Sequence, residues 1–394
     1  MKKTFRITII LIISILFLGF CKNPGKAHEE KIPTDINSED SLQQFVDLAV
    51  NELLKSQEPD GVWPYEGVYR VDGKIPVGYR IGGTAIVCQM LLYSPTKYKN
   101  QTKTAISKGI DFILEALEDP LMKASTQNNY DVRVWGHSYS LNLFSHLRLM
   151  EYSLTTQQAA AIDKWIPNLV KTLIIEEIPG GGWNYANHKQ QATFVTAPVV
   201  QALLRARSLG IDVPDEIFQR SRDILLISRH TDGAFIYSGG NNADQNPQQQ
   251  DNKEDTRSMQ PGSIARSALC ESTLFLLGSG SVDNIKNAVD AFFIYWDELK
   301  KRWKQPGTHE PPYGIAPYYF YFGHYYAGQA IEFLPVEYRK DVQKKLKQTI
   351  LRTRDPDGTW NDRVFPRSRS YGTAMAIMTL IAKDIPKPQA ISFE

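Results

Sequence analysis

The densest group of reactive side chains is Asp131-Val-Arg133-Val-Trp135-Gly-His137-Ser-Tyr139, which carries an acid, a base, an indole and an imidazole. His137 suits proton transfer, because an imidazole titrates near about 6.5 and is the usual acid–base group at neutral pH. Asp131 would orient or charge it, and Arg133, Trp135 and Tyr139 would grip a substrate. The alternative is a helix cap with an Asp131–Arg133 ion pair. A second group is His324 with Tyr325, in a run that also holds Tyr318, Tyr319, Tyr321 and Tyr326. Here His324 and Tyr325 are candidate catalytic groups and Tyr319 a binding one. Aromatic faces of this kind suit an isoprenoid or a sugar, and they can stabilise a carbocation. The alternative is a large aromatic core. A third group is Arg363, Arg367 and Arg369 just before Tyr371. Three guanidiniums there would hold a diphosphate or a uronate, or else form a solvated loop. Arg80 and the pair Tyr185 and His188 occupy comparable positions in other repeats, and His146 reads as a satisfied core histidine.

The elements that must position these groups are helices. Amphipathic spacing such as Leu42, Phe45, Val46, Ala49, Leu53 and Leu54 predicts outer helices near 41–57, 102–118, 155–177, 214–229, 281–303 and 336–353. Segments rich in small and apolar residues predict partners near 82–93, 136–152, 192–209, 262–278, 317–333 and 370–383. Between members of a pair stand four similar turns: Gln57 to Trp63, Pro179 to Trp183, His230 to Phe235 and Arg354 to Trp360. Their aromatics are spaced by 120, 52 and 125 residues, near one or two units of roughly sixty. The turn glycine is expected at positive φ, with the aromatic packing turn against neighbouring hairpin. Neither end carries a polar capping repeat, which an open stack needs. The expectation is therefore an all-α protein, an α/α toroid of six helical hairpins with inner and outer rings.

Gln57-x-x-Asp-Gly-x-Trp63 is similar to the QW motif of squalene and hopene cyclases, and Asp357-Gly-Thr-Trp360 resembles a partial copy. Tyr318 to Ala330 resembles the aromatic inner helices of bacterial cyclase-like proteins. The resemblance is to the terpenoid cyclase and protein prenyltransferase superfamily, over residues 41 to 383. It implies the toroid fold and an apolar substrate, although a full triterpene cyclase resembles two toroid domains and this chain has one. The Asp-x-Asp-Asp acid run of the cyclases is absent, as are the zinc ligands of the prenyltransferases and the Cys-Gly-Glu-Gln run of thioester toroids. No metal or cofactor is expected, and no phosphate loop, dinucleotide fingerprint or hydrolase elbow occurs.

Lys2, Lys3 and Arg6 precede an apolar run from Ile7 to Phe20, the pattern of an export signal. It is shorter than the roughly 20 residues of a membrane span. Cys21 follows at a lipobox-like position, with Phe20 where a small residue is usual. The expected organisation is a signal at 1–21 ending in a lipidated Cys21, a polar tether at 22–40 and the toroid at 41–394. That places the protein in the cell envelope, held to a membrane. The 45 bases and 43 acids give a net of +2, and setting aside the three leader bases leaves −1. Such a balance excludes a nucleic-acid footprint. Cys88 and Cys270 lie in apolar helical patterns and read as buried small hydrophobes, with a disulfide as the alternative. Ser238 to Ser258 is a polar insert, disordered or a lid beside the cavity.

The function expected from these readings is binding or transforming an isoprenoid or other lipid in the central cavity. The alternatives are a non-catalytic envelope binding protein and a carbohydrate-active (α/α)6 lyase or hydrolase, with a glycan as ligand.

Overall fold

Each staple turn closes with the same hydrogen bonds, and this local repeat generates the architecture. In the computed structural model, which describes residues 39–124, 132–185, 190–239 and 256–393, Glu58, Ile178, His230 and Asp355 begin equivalent turns. Their N–H groups donate to the carbonyls of Val62, Gly182, Ala234 and Thr359 at 2.8 to 3.0 Å. The glycines at the fourth position, Gly61, Gly181, Gly233 and Gly358, all have φ between +78° and +107°. That region is open to glycine and costly for other residues. At Gly61 a Cβ would also meet the Lys108 carbonyl oxygen at 2.5 Å.

The aromatic follows two residues later. Trp63, Trp183 and Trp360 are fully buried. Each indole N–H donates to the carbonyl ten residues upstream: Leu53 at 2.9 Å, Leu173 at 2.7 Å and Ile350 at 3.0 Å. Each backbone N–H donates to a threonine hydroxyl on the next helix: Thr84 at 2.9 Å, Thr196 at 2.9 Å and Thr373 at 3.0 Å. One side chain thus satisfies the end of the outer helix and pins the start of the inner one, where helix termini leave orphan groups. Gln57 adds a lateral tie, donating to the carbonyls of Gly61 and Ala105, both at 2.9 Å.

Among the described residues there are thirteen α-helices. The outer ones are α1 (Glu39–Ser56), α3 (Lys99–Ala116), α5 (Thr156–Ile175), α7 (Asp215–Ile227), α9 (Val282–Ile294) with α10 (Trp296–Arg302), and α12 (Val336–Leu351). The inner ones are α2 (Val77–Tyr93), α4 (Arg133–Leu149), α6 (Thr193–Ser208), α8 (Ile264–Leu276), α11 (Tyr319–Ile331) and α13 (Arg369–Leu380). Inner helices pack in the order α2, α4, α6, α8, α11, α13, and α13 returns to α2, so the ring is closed. The inner helices are buried on nearly every face, and the outer ones along one stripe. The six expected hairpins are all present. The fifth outer segment is two helices rather than one, broken at Tyr295. Cys88 and Cys270 are free and buried, and burial pushes both thiols well up. They behave as small hydrophobes. No helix among the described residues is long and apolar enough to cross a membrane. Cys21, the leader, Asp131, His188 and residues 240–255 of the polar insert lie outside the described residues.

Candidate functional site

One position of the repeat lies two residues beyond each staple aromatic. This position is Tyr65, Tyr185, Tyr237 and, in the last turn, Asp362. The three tyrosines line a cavity of about 330 Å³ at one end of the ring, together with Gly67, Val68, Tyr69, Tyr79, Trp135, Phe194, Thr308, His309, Tyr318, Tyr319, Phe322, Arg363 and Tyr371. The aromatic faces interlock. Tyr65 lies 4.5 Å from Tyr371 and 5.8 Å from Trp135 between ring centroids, and Phe194 lies 5.3 Å from both Tyr185 and Tyr319. Glycine makes room for this wall, since a Cβ on Gly82 would stand 2.3 Å from the Trp135 ring. Among the described residues the lining holds no carboxylate. Its polar groups are tyrosine hydroxyls, Arg363 and His309. His309 Nε2 lies 3.1 Å from the Tyr237 hydroxyl and 3.2 Å from that of Tyr318, while Nδ1 meets the Gly314 carbonyl at 2.7 Å.

Asp362 directly precedes the lining residue Arg363 and is not itself part of the lining. Its residue is fully buried, and neither carboxyl oxygen has a hydrogen-bond partner among the described residues. Burial raises its pKa to about 7, opposed by the neighbouring Arg363 guanidinium. A charge there would oppose ionisation of Tyr65, Tyr371 and Tyr321. The acid therefore keeps a proton close to neutral pH, because the surrounding aromatic packing disfavours the anion. Arg363 reaches the cavity, its guanidinium 5.8 Å from the Tyr318 ring centroid and 5.3 Å from that of Phe365.

Of the residues singled out in the sequence, Trp135, Tyr185, Tyr318, Tyr319, Arg363 and Tyr371 line this cavity. The others lie elsewhere. His324 is buried with both nitrogens engaged: Nε2 accepts from the Trp296 indole at 2.8 Å, and Nδ1 meets the Phe320 carbonyl at 2.6 Å. Burial lowers its pKa to about 4, so it is a neutral pin between α10 and α11 and holds no proton for a substrate. His137 and Arg133 converge on Glu176, at 2.9 Å and 2.5 Å, in a buried cluster at the end of α5. Neither lines the cavity. Arg80 pairs with Asp60 at 2.5 Å and Arg369 with Asp357 at 2.8 Å. Arg367 pairs with Glu58. These three arginines are taken up by turn carboxylates, so the anion grip expected of the cluster reduces to Arg363. Tyr139 and Tyr325 lie deeper along the ring axis, in a separate chamber. His146 is buried, meeting the Tyr93 hydroxyl at 2.7 Å.

The sequence reading missed Tyr65, Tyr79, Phe194, Tyr237, His309 and Asp362. A signal for four positions was present, since Tyr65, Tyr185, Tyr237 and Asp362 share one register in the repeat.

No protein-family profile matches the chain, and no curated protein does. Solved structures do. A type II terpene cyclase from Scytonema matches at a TM-score of 0.51 and 16% identity, covering 87% of this chain and 98% of that one. A GH76A α-1,6-mannanase from Salegentibacter matches at 0.54 and 9%, covering 86% and 99%. A D-mannose isomerase matches at 0.54 and 13%, covering 90% and 100%. At such identities the likeness concerns the fold, and the chain shares the α/α toroid that these proteins have in common.

Proposed function

We propose that the aromatic cavity binds an isoprenoid chain and that Asp362 protonates it to begin a cyclisation. The observation that carries this reading is the register of Asp362. Asp362 is not itself part of the lining, but it shares the repeat register of three tyrosines that are, directly precedes the lining residue Arg363, and holds a proton near neutral pH. The proton would pass from the carboxyl to a terminal alkene carbon, leaving a tertiary cation. The π faces of Trp135, Tyr65, Tyr371 and Phe322 would stabilise that cation, and loss of a proton to water would end the reaction and allow Asp362 to be recharged. The resemblance at Gln57 to Trp63 and Asp357 to Trp360, and the likeness to a type II terpene cyclase, support the same reading. The Asp-x-Asp-Asp run is replaced here by a single acid following a staple tryptophan. We place the protein at a membrane surface, held by lipidated Cys21, where such a substrate resides.

The test is incubation of the full chain with all-trans polyprenyl alcohols of fifteen to thirty carbons, with products resolved by gas chromatography and mass spectrometry. Cyclic products that vanish in Asp362→Asn, while quenching of tryptophan fluorescence by substrate persists, support the reading. General acid removal typically costs about 10²- to 10⁴-fold. Binding with no product from any chain length removes the cyclisation step, and no binding at all removes the isoprenoid.

A second reading is supported by the triad of His309, Tyr237 and Tyr318 beside Arg363, a polar corner that suits a uronate-containing glycan. Release of unsaturated or shortened oligosaccharides from acidic glycans would favour it.

A further inference from the structure

The helices that line the aromatic cavity continue past it into a second, polar chamber. One turn deeper on α4, Trp135 gives way to Tyr139; on α11, Phe322 gives way to Tyr326. Four residues advance an α-helix by about 6 Å, so the chamber lies beyond the cavity floor along the same axis. Its volume is about 20 Å³.

Arg205 of α6 enters this chamber and is 2% exposed. Among the described residues its guanidinium makes no ion pair, and its Nε has no hydrogen-bond partner. Among the described residues no acid lines the chamber. The surroundings are hydroxyls and amides, including Tyr325, Gln329 and Gln201. Most of these are already committed: the Gln201 amide donates to Thr273 at 3.1 Å, and Asn142 donates to Gln89 at 2.7 Å. The Gln329 carbonyl oxygen, also buried, has no partner. Turning that amide would present its NH₂ to the chamber, an orientation that heavy-atom positions alone leave open. A guanidinium stays charged at any physiological pH, and a buried charge without a counter-charge is strongly disfavoured. A water-sized particle occupies about 10–15 Å³ on the same measure. One such particle fits, and a tetrahedral oxyanion does not.

We propose that the chamber is an anion site and that a single chloride ion, held by Arg205 and the Gln329 amide, neutralises the inside of the ring. The charge balance follows, since one guanidinium meets one monovalent anion. The ion also explains why a toroid with an apolar mouth keeps an arginine deep in its inner ring. Desolvation lowers the Arg205 pKa, and the Arg205 charge helps hold nearby His146 neutral.

Crystals of the full chain grown in chloride and transferred to bromide test the site directly. A bromide anomalous peak beside the Arg205 guanidinium is the expected result, and ordered water there with no anomalous signal overturns the proposal. Thermal unfolding at constant ionic strength gives a second reading in solution. Replacing gluconate by chloride at a hundredfold excess over its Kd should raise the Tm by about 2–4 °C. Arg205→Met, which keeps the apolar stem, should abolish that rise. A Tm indifferent to halide in the parent chain, or an equal rise in the variant, overturns the proposal. The crystal measurement needs no variant, so it stands even if Arg205→Met does not fold.

Discussion

The hydroxyls of Tyr139 and Tyr326 lie 3.4 Å apart, although 187 positions separate them in the chain. One comes from α4 and the other from α11, so the contact spans the inside of the ring. Both side chains are buried. Both line the polar chamber and pack against cavity residues, Tyr139 against Trp135 and Tyr326 against Phe322.

Tyr326→Ala should join the two spaces. Truncating a buried aromatic costs about 3–5 kcal/mol, which urea unfolding will show. The variant should also accept longer apolar chains than the parent. An unchanged preference for chain length would mean that the floor does not limit the ligand.

Asp362 should impose a slope of stability on pH. Its folded pKa is about 7 against an ordinary 3.8. Between those values the unfolded chain has lost the proton that the folded chain retains. Stability therefore falls as pH rises from about 4 to about 7, and the loss is complete above that. The full span is of the order of 4 kcal/mol. Asp362→Asn removes this contribution, so the difference in unfolding free energy between variant and parent should grow in favour of the variant from pH 4.5 to 7.5. A constant difference would show that the acid is ionised in the folded state.

Gly82→Ala should narrow the cavity without touching a ligand. The new methyl would stand 2.3 Å from the Trp135 ring, which must move. Overpacking of this kind costs about 1–3 kcal/mol. Affinity for an apolar ligand, read from tryptophan fluorescence, should fall by about tenfold. Full affinity in a stably folded variant would place the ligand away from Trp135.

Glu176→Gln should be among the most damaging single changes, although its side chain never meets the cavity. It carries the counter-charge for buried Arg133 and accepts from or pairs with His137. Removing one partner of a buried pair costs about 3–5 kcal/mol. The loss should appear in thermal unfolding with ligand binding intact wherever the variant remains folded. Loss of binding at full stability would instead give the cluster a role at the cavity.

The sequence by itself determined the hairpins, their order and the turns that staple them. Those features rest on contacts within about twenty residues. A glycine at positive φ, a tryptophan reaching back ten positions and a threonine on the next helix repeat whether or not the ring closes. Closure too was foreshadowed, because neither end carries a polar cap.

Only the tertiary structure decided which polar groups face the axis. His324, His137 and Arg367 are chemically apt, yet each is engaged by a neighbour that sequence spacing does not bring near, Trp296, Glu176 and Glu58, while Arg80 and Arg369 are taken up by the turn carboxylates Asp60 and Asp357 of their own repeats. Asp362 is the converse case. Its register in the repeat was legible, but its proton affinity arises from burial near rings carried by α11, by α13 and by the turn after Trp63. A carboxyl acquires such a pKa from its surroundings, and in a ring those surroundings are assembled from segments hundreds of residues apart.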